Sequence, residues 1–465
     1  MKRLLVVALA SALLAPPVYG KVAASPQAEE QALGLAREIM AMRSVAGPDN
    51  RTSDVARAIK AALVAGGWAD GDVEITSHKD TAWLVATWRG SDPSLKPLVL
   101  SGHMDVVEAK REDWQRDPFV PVVENGYLYG RGATDMKLDD AIVAASLIEL
   151  RRQGYRPKRS IVLALSGDEE TAMETSQLIA SRFADAFMVL NADSDANGVL
   201  DETTGEPRYY RWLGAEKTYA DFQLVLTDPG GHSSQPRAEN AIARMSAALV
   251  KIGAYRFAPE LSPLMRESFA ASAEVERDPA LAGAMKAFAA DPQDAAAVAV
   301  LRATPVTTGL VSTTCVPTMV DGGHALNALP QRVTANINCR IYPGRDPAAI
   351  MAELHRVVDD PRIAMKDVTE GSVPAPSSPP RADLSAAIKR AIGLIHPGIP
   401  VFPGMATGAS DNMWFRSKGV DSYIVSPVFM KSSDIFSHGL NERTPVAAIG
   451  PGVTYYLSLL RDLTK

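Results

Sequence analysis

Four apolar, strand-like runs in this 465-residue chain are each followed by His, Asp or Glu, and this repeated pairing constrains the fold most. Three of them are LVLSGHMDVV, IVLALSGDEE and FMVLNADSD, and in the fourth IVSPVF leads to DIFSHGL a little further downstream. Helical stretches alternate with the runs, as in a sheet wrapped by helices. Ligands bind beyond the carboxyl ends of the strands of an open α/β sheet, so these polar side chains are predicted to converge. A convergent group of acids and imidazoles indicates a metal site.

The first motif places His103 and Asp105 two residues apart. Alternate residues of a strand point the same way, so Asp105 is predicted to orient the imidazole of His103 and fix its tautomer. The motif GRGATDMK puts Asp135 at the start of the helix that follows a hairpin, VVENGYLYG, predicted from its Asn-Gly turn. Capping of that helix by Thr134 or Asp135 would explain one of these side chains but not the whole motif.

The motif SGDEE supplies two adjacent carboxylates, Glu169 and Glu170. Neighbouring residues point in different directions, so one carboxylate can bind metal while the other holds a water molecule. Crowded carboxylates repel each other, and divalent cations relieve that repulsion. The alternative for this motif, taken alone, is an acidic helix N-terminus stabilised by the helix dipole.

The length of the chain predicts two domains, each with its own core. From about Gly214 the pattern becomes strand, helix, two long strands, helix and strand, with the two long strands at residues 308–323 and 331–342. This order resembles a split βαβ sandwich inserted into the first domain, which resumes after Pro379. An Ala-rich helical insertion over residues 259–303 has no role that the sequence reveals.

The N-terminus has the features of a signal peptide. Lys2 and Arg3 precede an apolar run from Leu4 to Ala15, and small residues suited to cleavage follow. A membrane anchor is the alternative, but the run is shorter than the ~20 residues that span a bilayer. We therefore expect export to the periplasm or the outside of the cell, with no membrane anchor after cleavage.

The net charge and the two cysteines bear on the class of partner and on the presence of a disulfide. The formal net charge is −6 without a basic cluster, which argues against nucleic acid as a partner. Cys315 and Cys339 are the two cysteines of the chain, and each lies in a strand-like run. Two buried, unpaired thiols are the favoured interpretation and one disulfide is the alternative.

The ordered motifs SGHMDVV, GRGATDMK, SGDEE, LNADSD, GGHSSQP, NINCRIYPG and FSHGLNER resemble those of the zinc exopeptidase family of glutamate carboxypeptidases, aminoacylases, di- and tripeptidases and carboxypeptidase S. The resemblance covers nearly the whole mature chain. It implies a zinc-exopeptidase (phosphorylase/hydrolase-like) α/β catalytic domain with an inserted ferredoxin-like α+β lid that also forms a dimer in many members. With the signal peptide at 1–24, the catalytic domain is placed at 25–213 and 373–465, and the lid at 214–372.

The resemblance also implies roles for individual residues. One zinc ion would be held by His103, Asp135 and Asp193, and the other by Asp135, Glu170 and His438. Glu169 would act as general base and acid, and the lid's His232 would stabilise the transition state. Asp105 is counted with these catalytic residues as the group that orients His103. Groups that would hold the substrate carboxylate are Arg340, Asn327 and Gly408.

Two departures from the family pattern affect these assignments. The motif NADSDANG offers Asp195 beside Asp193, which is preferred because it lies nearer the strand end. The stretch TGASDNMWF lacks the Asp-Ser-Arg of many relatives, and this leaves substrate preference open.

The predicted function is zinc-dependent cleavage of a peptide bond next to a free C-terminal carboxylate. The alternative is an N-acyl-amino-acid deacylase, or aminoacylase, with the same mechanism. Cobalt or manganese would also suit the ligand set. A catalytically inactive solute-binding protein is the remote alternative from another class.

Overall fold

The computed structural model describes residues 22–465. The predicted signal peptide, 1–24, therefore lies almost wholly outside the described residues, and within residues 22–465 no helix is long and apolar enough to span a bilayer. The α-helices are α1 (Pro26–Met40), α2 (Thr52–Ala65), α3 (Lys137–Arg152), α4 (Glu174–Arg182), α5 (Ala241–Ala254), α6 (Pro263–Val275), α7 (Pro279–Ala290), α8 (Ala295–Ala303), α9 (Pro305–Val311), α10 (Pro347–Val358), α11 (Ala382–Ile395), α12 (Asn412–Ser417) and α13 (Ile449–Leu463).

The β-strands form four sheets in the described chain. They are β1 (Val73–His78), β2 (Thr81–Trp88), β3 (Leu98–His103), β4 (Val122–Glu124), β5 (Tyr127–Tyr129), β6 (Ile161–Ser166), β7 (Met188–Asn191), β8 (Gly198–Leu200), β9 (Pro207–Glu216), β10 (Thr218–Thr227), β11 (Gly231–His232), β12 (Thr314–Gly322), β13 (Ala328–Leu329), β14 (Arg332–Ile341), β15 (Ile363–Asp367), β16 (Val401–Ala406), β17 (Ser422–Ile424), β18 (Phe429–Met430) and β19 (Arg443–Pro445).

A ten-stranded mixed sheet forms the centre of the large domain, in the order β1-β2-β6-β3-β7-β17-β9-β8-β18, with β16 paired to β9. Strands β3, β6, β7 and β17 run parallel to their neighbours in this series. Every residue of β3 and β6 is buried, because α1, α3 and α13 pack in the core on one face and α4 and α12 pack on the other. Strands covered on both faces are apolar without alternation, which is why the sequence predicts them.

The inserted domain is a four-stranded antiparallel sheet in the order β12-β14-β10-β15, covered by α5 and α10. Its chain order is strand, helix, two strands, helix, strand, so the predicted ferredoxin-like arrangement is confirmed. Alternating residues of β10 and β14 are buried, as expected for a sheet covered on one face. The predicted α/β class with an inserted α+β domain is therefore confirmed.

The helical insertion packs on the large domain rather than on the inserted sheet. Helix α6 lies against β9 and β16, and Leu264, Phe269 and Phe288 belong to the core of the large domain. The long strand expected at residues 308–323 begins only at Thr314, because α9 occupies residues 305–311. Pro305 at the first helical position favours this helix despite the β-branched residues that follow.

Cys315 and Cys339 form a disulfide, so the favoured interpretation of two unpaired thiols was wrong. The antiparallel register of β12 and β14 places the two residues directly opposite each other. Their Cα atoms are 4.1 Å apart, well below the ~7 Å beyond which two cysteines cannot be bridged. The strand register decides that these two residues pair, and the sequence alone does not reveal that register.

A three-stranded sheet joins two distant parts of the chain beside the large sheet. Strands β4 and β5 form the predicted hairpin, and its turn residues Asn125 and Gly126 both have positive φ. Strand β19 pairs antiparallel with β5. This pairing brings the segment before β19, which contains His438, next to the segment after β5, which contains Asp135.

Candidate metal centre

Parallel strands carry three of the predicted polar motifs to one edge of the large sheet. Strand β3 lies between β6 and β7 and is parallel to both, and in the register His103 is opposite Ser166. His103, Glu169 and Asp193 therefore follow the carboxyl ends of adjacent strands. All three side chains are buried or nearly so, which makes this edge a pocket rather than an exposed surface.

Asp135 lies between two imidazoles. Its Oδ1 is 3.0 Å from Nε2 of His103, and its Oδ2 is 3.1 Å from Nε2 of His438. Both carboxylate oxygens of Glu170 lie 3.0 Å from the same His438 nitrogen, and Oδ1 of Asp193 is 3.9 Å from Nε2 of His103. The structure thus groups all five predicted ligands around one shared carboxylate.

Asp193 and Asp195 occupy different positions around this group. Asp193 approaches His103, and its backbone N–H donates to the side chain of Asn191 at 2.8 Å. Asp195 instead accepts a hydrogen bond from Ser437. Of the two acids that the sequence offers, Asp193 is the one beside His103.

The tautomer of His103 suits a metal ligand. Its Nδ1 lies 3.0 Å from the backbone carbonyl oxygen of Asp105, so Nδ1 carries the proton and donates it. Its Nε2 faces Asp135 and Asp193, and this nitrogen would be the one to coordinate a metal ion held between the imidazole and the two carboxylates. His103, Asp135 and Glu170 also present ligand atoms within 4.8 Å of one another, so the residues fit a metal ion.

Asp105 makes its hydrogen bonds mainly to the SGDEE motif rather than to the imidazole of His103. Its carboxylate Oδ1 is 3.5 Å from Nδ1 of His103, farther than the carbonyl oxygen. The two carboxylate oxygens accept the backbone N–H groups of Glu169 and Glu170, at 3.1 and 3.0 Å. Asp105 therefore fixes the loop that carries both glutamates. The helix-terminus alternative for these glutamates is wrong, because α4 begins only at Glu174.

Charge and burial shift the pKa values of this group strongly. Hydrogen bonds to Asp135 and Glu170 raise the pKa of His438 to about 10. Burial raises the pKa of Glu169 and that of Asp193 well above the usual carboxyl range, and neighbouring carboxylates add to the effect. The pKa of Asp135 is lowered, because hydrogen bonds from the two imidazoles outweigh its burial. A divalent cation would relieve this crowding of acids.

Glu442 is a site residue that the sequence reasoning missed. Its side chain is fully buried, and Oε1 accepts the backbone N–H groups of Thr134 at 2.6 Å and Asp135 at 3.0 Å. Its Oε2 accepts a hydrogen bond from Arg131 at 2.5 Å. Burial raises the pKa of Glu442 to about 7, against the opposing effect of the guanidinium. No side chain caps α3, so the alternative of local capping by Thr134 or Asp135 does not hold. Glu442 holds the Asp135 loop instead.

Two lid residues, His232 and Asn327, are held together in a small sheet. Strand β11 pairs with β13, and the backbone N–H of Ser233 donates to the Asn327 carbonyl oxygen at 2.9 Å. The backbone N–H of Ser234 donates to Nδ1 of His232 at 3.1 Å. This bond makes Nδ1 an acceptor, so Nε2 carries the proton and can donate it to a substrate oxygen.

The remaining predicted substrate groups lie on β14 and beside a cavity. The Arg340 guanidinium stacks over the Tyr219 ring, 4.9 Å from its centroid. Gly408 lines a cavity of about 490 Å³ that also touches Asp193 and Glu216, and we call it the metal-side cavity. A larger cavity, of about 720 Å³, lies near Trp88 and contains none of the predicted site residues.

A buried acid beside a group of metal-ligating donors is the arrangement by which metal-dependent hydrolases activate water. Fold and site together place the chain in that class. The chain belongs to peptidase family M20/M25/M40, whose family model matches residues 99–462. The resemblance inferred from the motifs and the prediction of a hydrolase are therefore confirmed.

Known proteins resemble the chain over most of its length. Probable carboxypeptidase S-like 2 of Dictyostelium discoideum is 28% identical over 394 residues, 82% of this chain and 74% of that protein. An N-fatty-acyl-amino acid synthase/hydrolase of Mus musculus is 29% identical over 390 residues, 77% of this chain and 73% of that protein. The metallo-carboxypeptidase Sso-CP2 of Sulfolobus solfataricus has the same fold, with a TM-score of 0.71 at 17% identity over 93% of this chain and 98% of that one.

Proposed function

We propose that this protein is an exported di-zinc hydrolase that cleaves a peptide bond next to a free C-terminal carboxylate. The observation that carries the proposal is the position of Asp135, with one carboxylate oxygen directed at each of two imidazoles. His103, Asp135 and Asp193 would hold one zinc ion. Asp135, Glu170 and His438 would hold the other.

Zinc suits these donors, because imidazole nitrogens and carboxylate oxygens are its common ligands, although cobalt and manganese accept a similar set. When bound, zinc polarises the scissile carbonyl group and lowers the pKa of water to about 7. The protein's own contribution is to hold the ligand loops through Asp105 and Glu442, as the hydrogen bonds to Glu169, Glu170 and Asp135 support.

Proton transfer is assigned to Glu169. Its side chain is buried in the site without being one of the metal ligands, and Asp105 fixes its backbone. Glu169 would accept a proton from the attacking water and deliver it to the leaving amine. The Nε2–H of His232 would donate to the carbonyl oxygen as negative charge develops there.

Recognition of the substrate carboxylate is assigned to two lid residues and to the backbone at Gly408, which lines the metal-side cavity. The Arg340 guanidinium has no hydrogen-bonded or ion-paired partner among residues 22–465, so it is available for bidentate binding of a carboxylate. Asn327 and the backbone of Gly408 would complete this contact.

Hydrolysis of N-acyl amino acids is the second candidate function. It is favoured by the similarity to the N-fatty-acyl-amino acid synthase/hydrolase of Mus musculus and by the metal-side cavity next to Asp193. Both candidate reactions pass through the same oxyanion and need the same residues. They differ in what lies beyond the acyl carbon.

Export and self-association complete the proposal. Export rests on the N-terminal sequence. A homodimer through the lid is supported by β12, an edge strand on which Val316, Met319 and Val320 are all exposed. Apolar side chains along an open strand edge favour pairing with a second copy of the same strand.

The experiment measures release of free amino acid from a panel of dipeptides and N-acyl amino acids by the purified mature chain. It compares added zinc, chelator, Glu169→Gln and the matched surface control Glu112→Gln. We expect chelator to abolish turnover. Glu169→Gln should lower kcat ~10²–10⁴-fold with two metal ions still bound, while the control is unchanged.

Two results would decide against the proposal. Unchanged turnover in Glu169→Gln would remove Glu169 from the mechanism. Tight binding of the panel without release of any amino acid would favour the solute-binding alternative.

A further inference from the structure

The helical insertion lines a third cavity of about 260 Å³, which we call the insertion cavity. Its apolar wall consists of Met265, Phe269, Leu281, Met285 and Leu310, which come from helices α6, α7 and α9. These helices pack on the core of the large domain, so the cavity lies between the insertion and strand β9.

Three of the polar groups on the wall of the insertion cavity already have partners. Arg208 donates to the carbonyl oxygen of Val275 at 2.6 Å. The Thr307 hydroxyl bonds to backbone carbonyl oxygens within its own segment. The Glu276 carboxylate accepts two backbone N–H groups. The wall of the cavity as a whole is mainly apolar.

The insertion cavity adjoins the metal-side cavity. Arg211, Val306 and Leu310 line both, so these three side chains form the junction between them. Val306 is 72% exposed although it is a large apolar side chain. The metal-side cavity in turn reaches Asp193. The two cavities therefore meet at Val306, and an apolar chamber lies next to the cavity that reaches the metal centre.

We propose that the two cavities form one subsite for an extended apolar chain of the substrate, and that Val306 sets the chain length accepted. This inference rests on the proposed hydrolysis of an amide next to a free carboxylate. The chain is either the acyl group or the side chain of the C-terminal residue. Both are unbranched hydrocarbon chains, and two series of substrates, one lengthened on each side of the amide bond, distinguish them.

The expected effect follows from burial of methylene groups. Each methylene that leaves water should raise kcat/KM about fourfold, which corresponds to ~0.8 kcal/mol. The increase should stop when the insertion cavity is full. A polar or open surface would give no such dependence on length.

The test uses two substrate series with the holoenzyme. In one, the acyl side grows from Ala-Ala and N-acetylalanine to octylglycyl-Ala and N-decanoylalanine. In the other, the C-terminal residue grows from alanine to octylglycine. We expect kcat/KM to rise with length in one series.

Val306→Trp should block the junction and lower the ratio of long-chain to short-chain kcat/KM at least tenfold, with a smaller loss in Val306→Phe. Val250→Trp is the matched control, because Val250 is 70% exposed and lines neither cavity. This control should keep the wild-type ratio.

The outcomes separate this inference from the proposed function. The subsite would be overturned, and the hydrolase would stand, if short substrates are cleaved but kcat/KM does not depend on chain length. The same conclusion follows if kcat/KM depends on chain length and Val306→Trp leaves that dependence intact. No cleavage of short or long substrates by the metal-loaded enzyme would overturn both.

Discussion

Replacing Glu442 with Gln tests whether one buried carboxylate holds the loop that carries Asp135. The amide oxygen of Gln can still accept the backbone N–H groups of Thr134 and Asp135. The amide NH₂ group, however, then faces the guanidinium of Arg131. Both groups are hydrogen-bond donors, so no hydrogen bond forms between them. Arg131 is 3% exposed, so its charge stays buried without its carboxylate partner.

The structure sets the size of this effect. Removing one partner of a buried ion pair lowers the free energy of unfolding by ~3–5 kcal/mol. An unfolding entropy of ~2.1 cal/mol/K per residue amounts to ~1 kcal/mol/K for this chain, so Tm falls by ~3–5 °C. Because the Asp135 loop loses its fixed position, the affinity for metal should fall ~10–100-fold.

The assay combines thermal unfolding of the metal-free protein with competition for zinc against a chelator. Glu149→Gln is the matched control, since Glu149 is 4% exposed on its side chain and is ion-paired with Arg152. It lies on α3, ~18 Å along the helix axis from Lys137, the first residue of that helix. The control should lower Tm but leave zinc affinity intact. Wild-type zinc affinity in Glu442→Gln would refute the reasoning.

Three further predictions concern the lid and the domain junction. Replacing Cys315 and Cys339 together with Ala should lower the free energy of unfolding, measured with urea, by ~3 kcal/mol, because the disulfide closes a loop with a separation of 24 residues; an unchanged value would contradict this. Burial lowers the pKa of Lys217 to about 7, so between pH ~7 and ~10 the unfolded chain binds a proton that the folded chain has released. The free energy of unfolding should therefore rise in that window by up to ~1.4 kcal/mol per pH unit, and Lys217→Met should remove this rise. If the wild type and Lys217→Met show the same dependence of stability on pH, the pKa of Lys217 is not lowered. In the proposed lid dimer, Val320→Lys should lower the mass measured by light scattering from that of a dimer to that of a monomer, whereas an unchanged mass would rule out β12 as the contact.

The strands of the large sheet were predictable because their burial on both faces leaves a continuous apolar signal. Residues 161–166 and 188–191 are examples, and the Asn125-Gly126 turn was predictable from its backbone requirement alone. Helix α9 was not predictable from its β-branched composition, because packing against the large domain, together with Pro305, decides its conformation.

The sequence by itself determined the family and the set of polar residues that follow the strands, because each motif is local and its order along the chain is specific. Only the tertiary structure decided which of these residues meet. Asp193 rather than Asp195 approaches His103, and Glu442 holds a loop 308 residues away. The strand register that pairs Cys315 with Cys339 is equally non-local. Such contacts depend on how the sheets pack, and no short stretch of sequence contains that information.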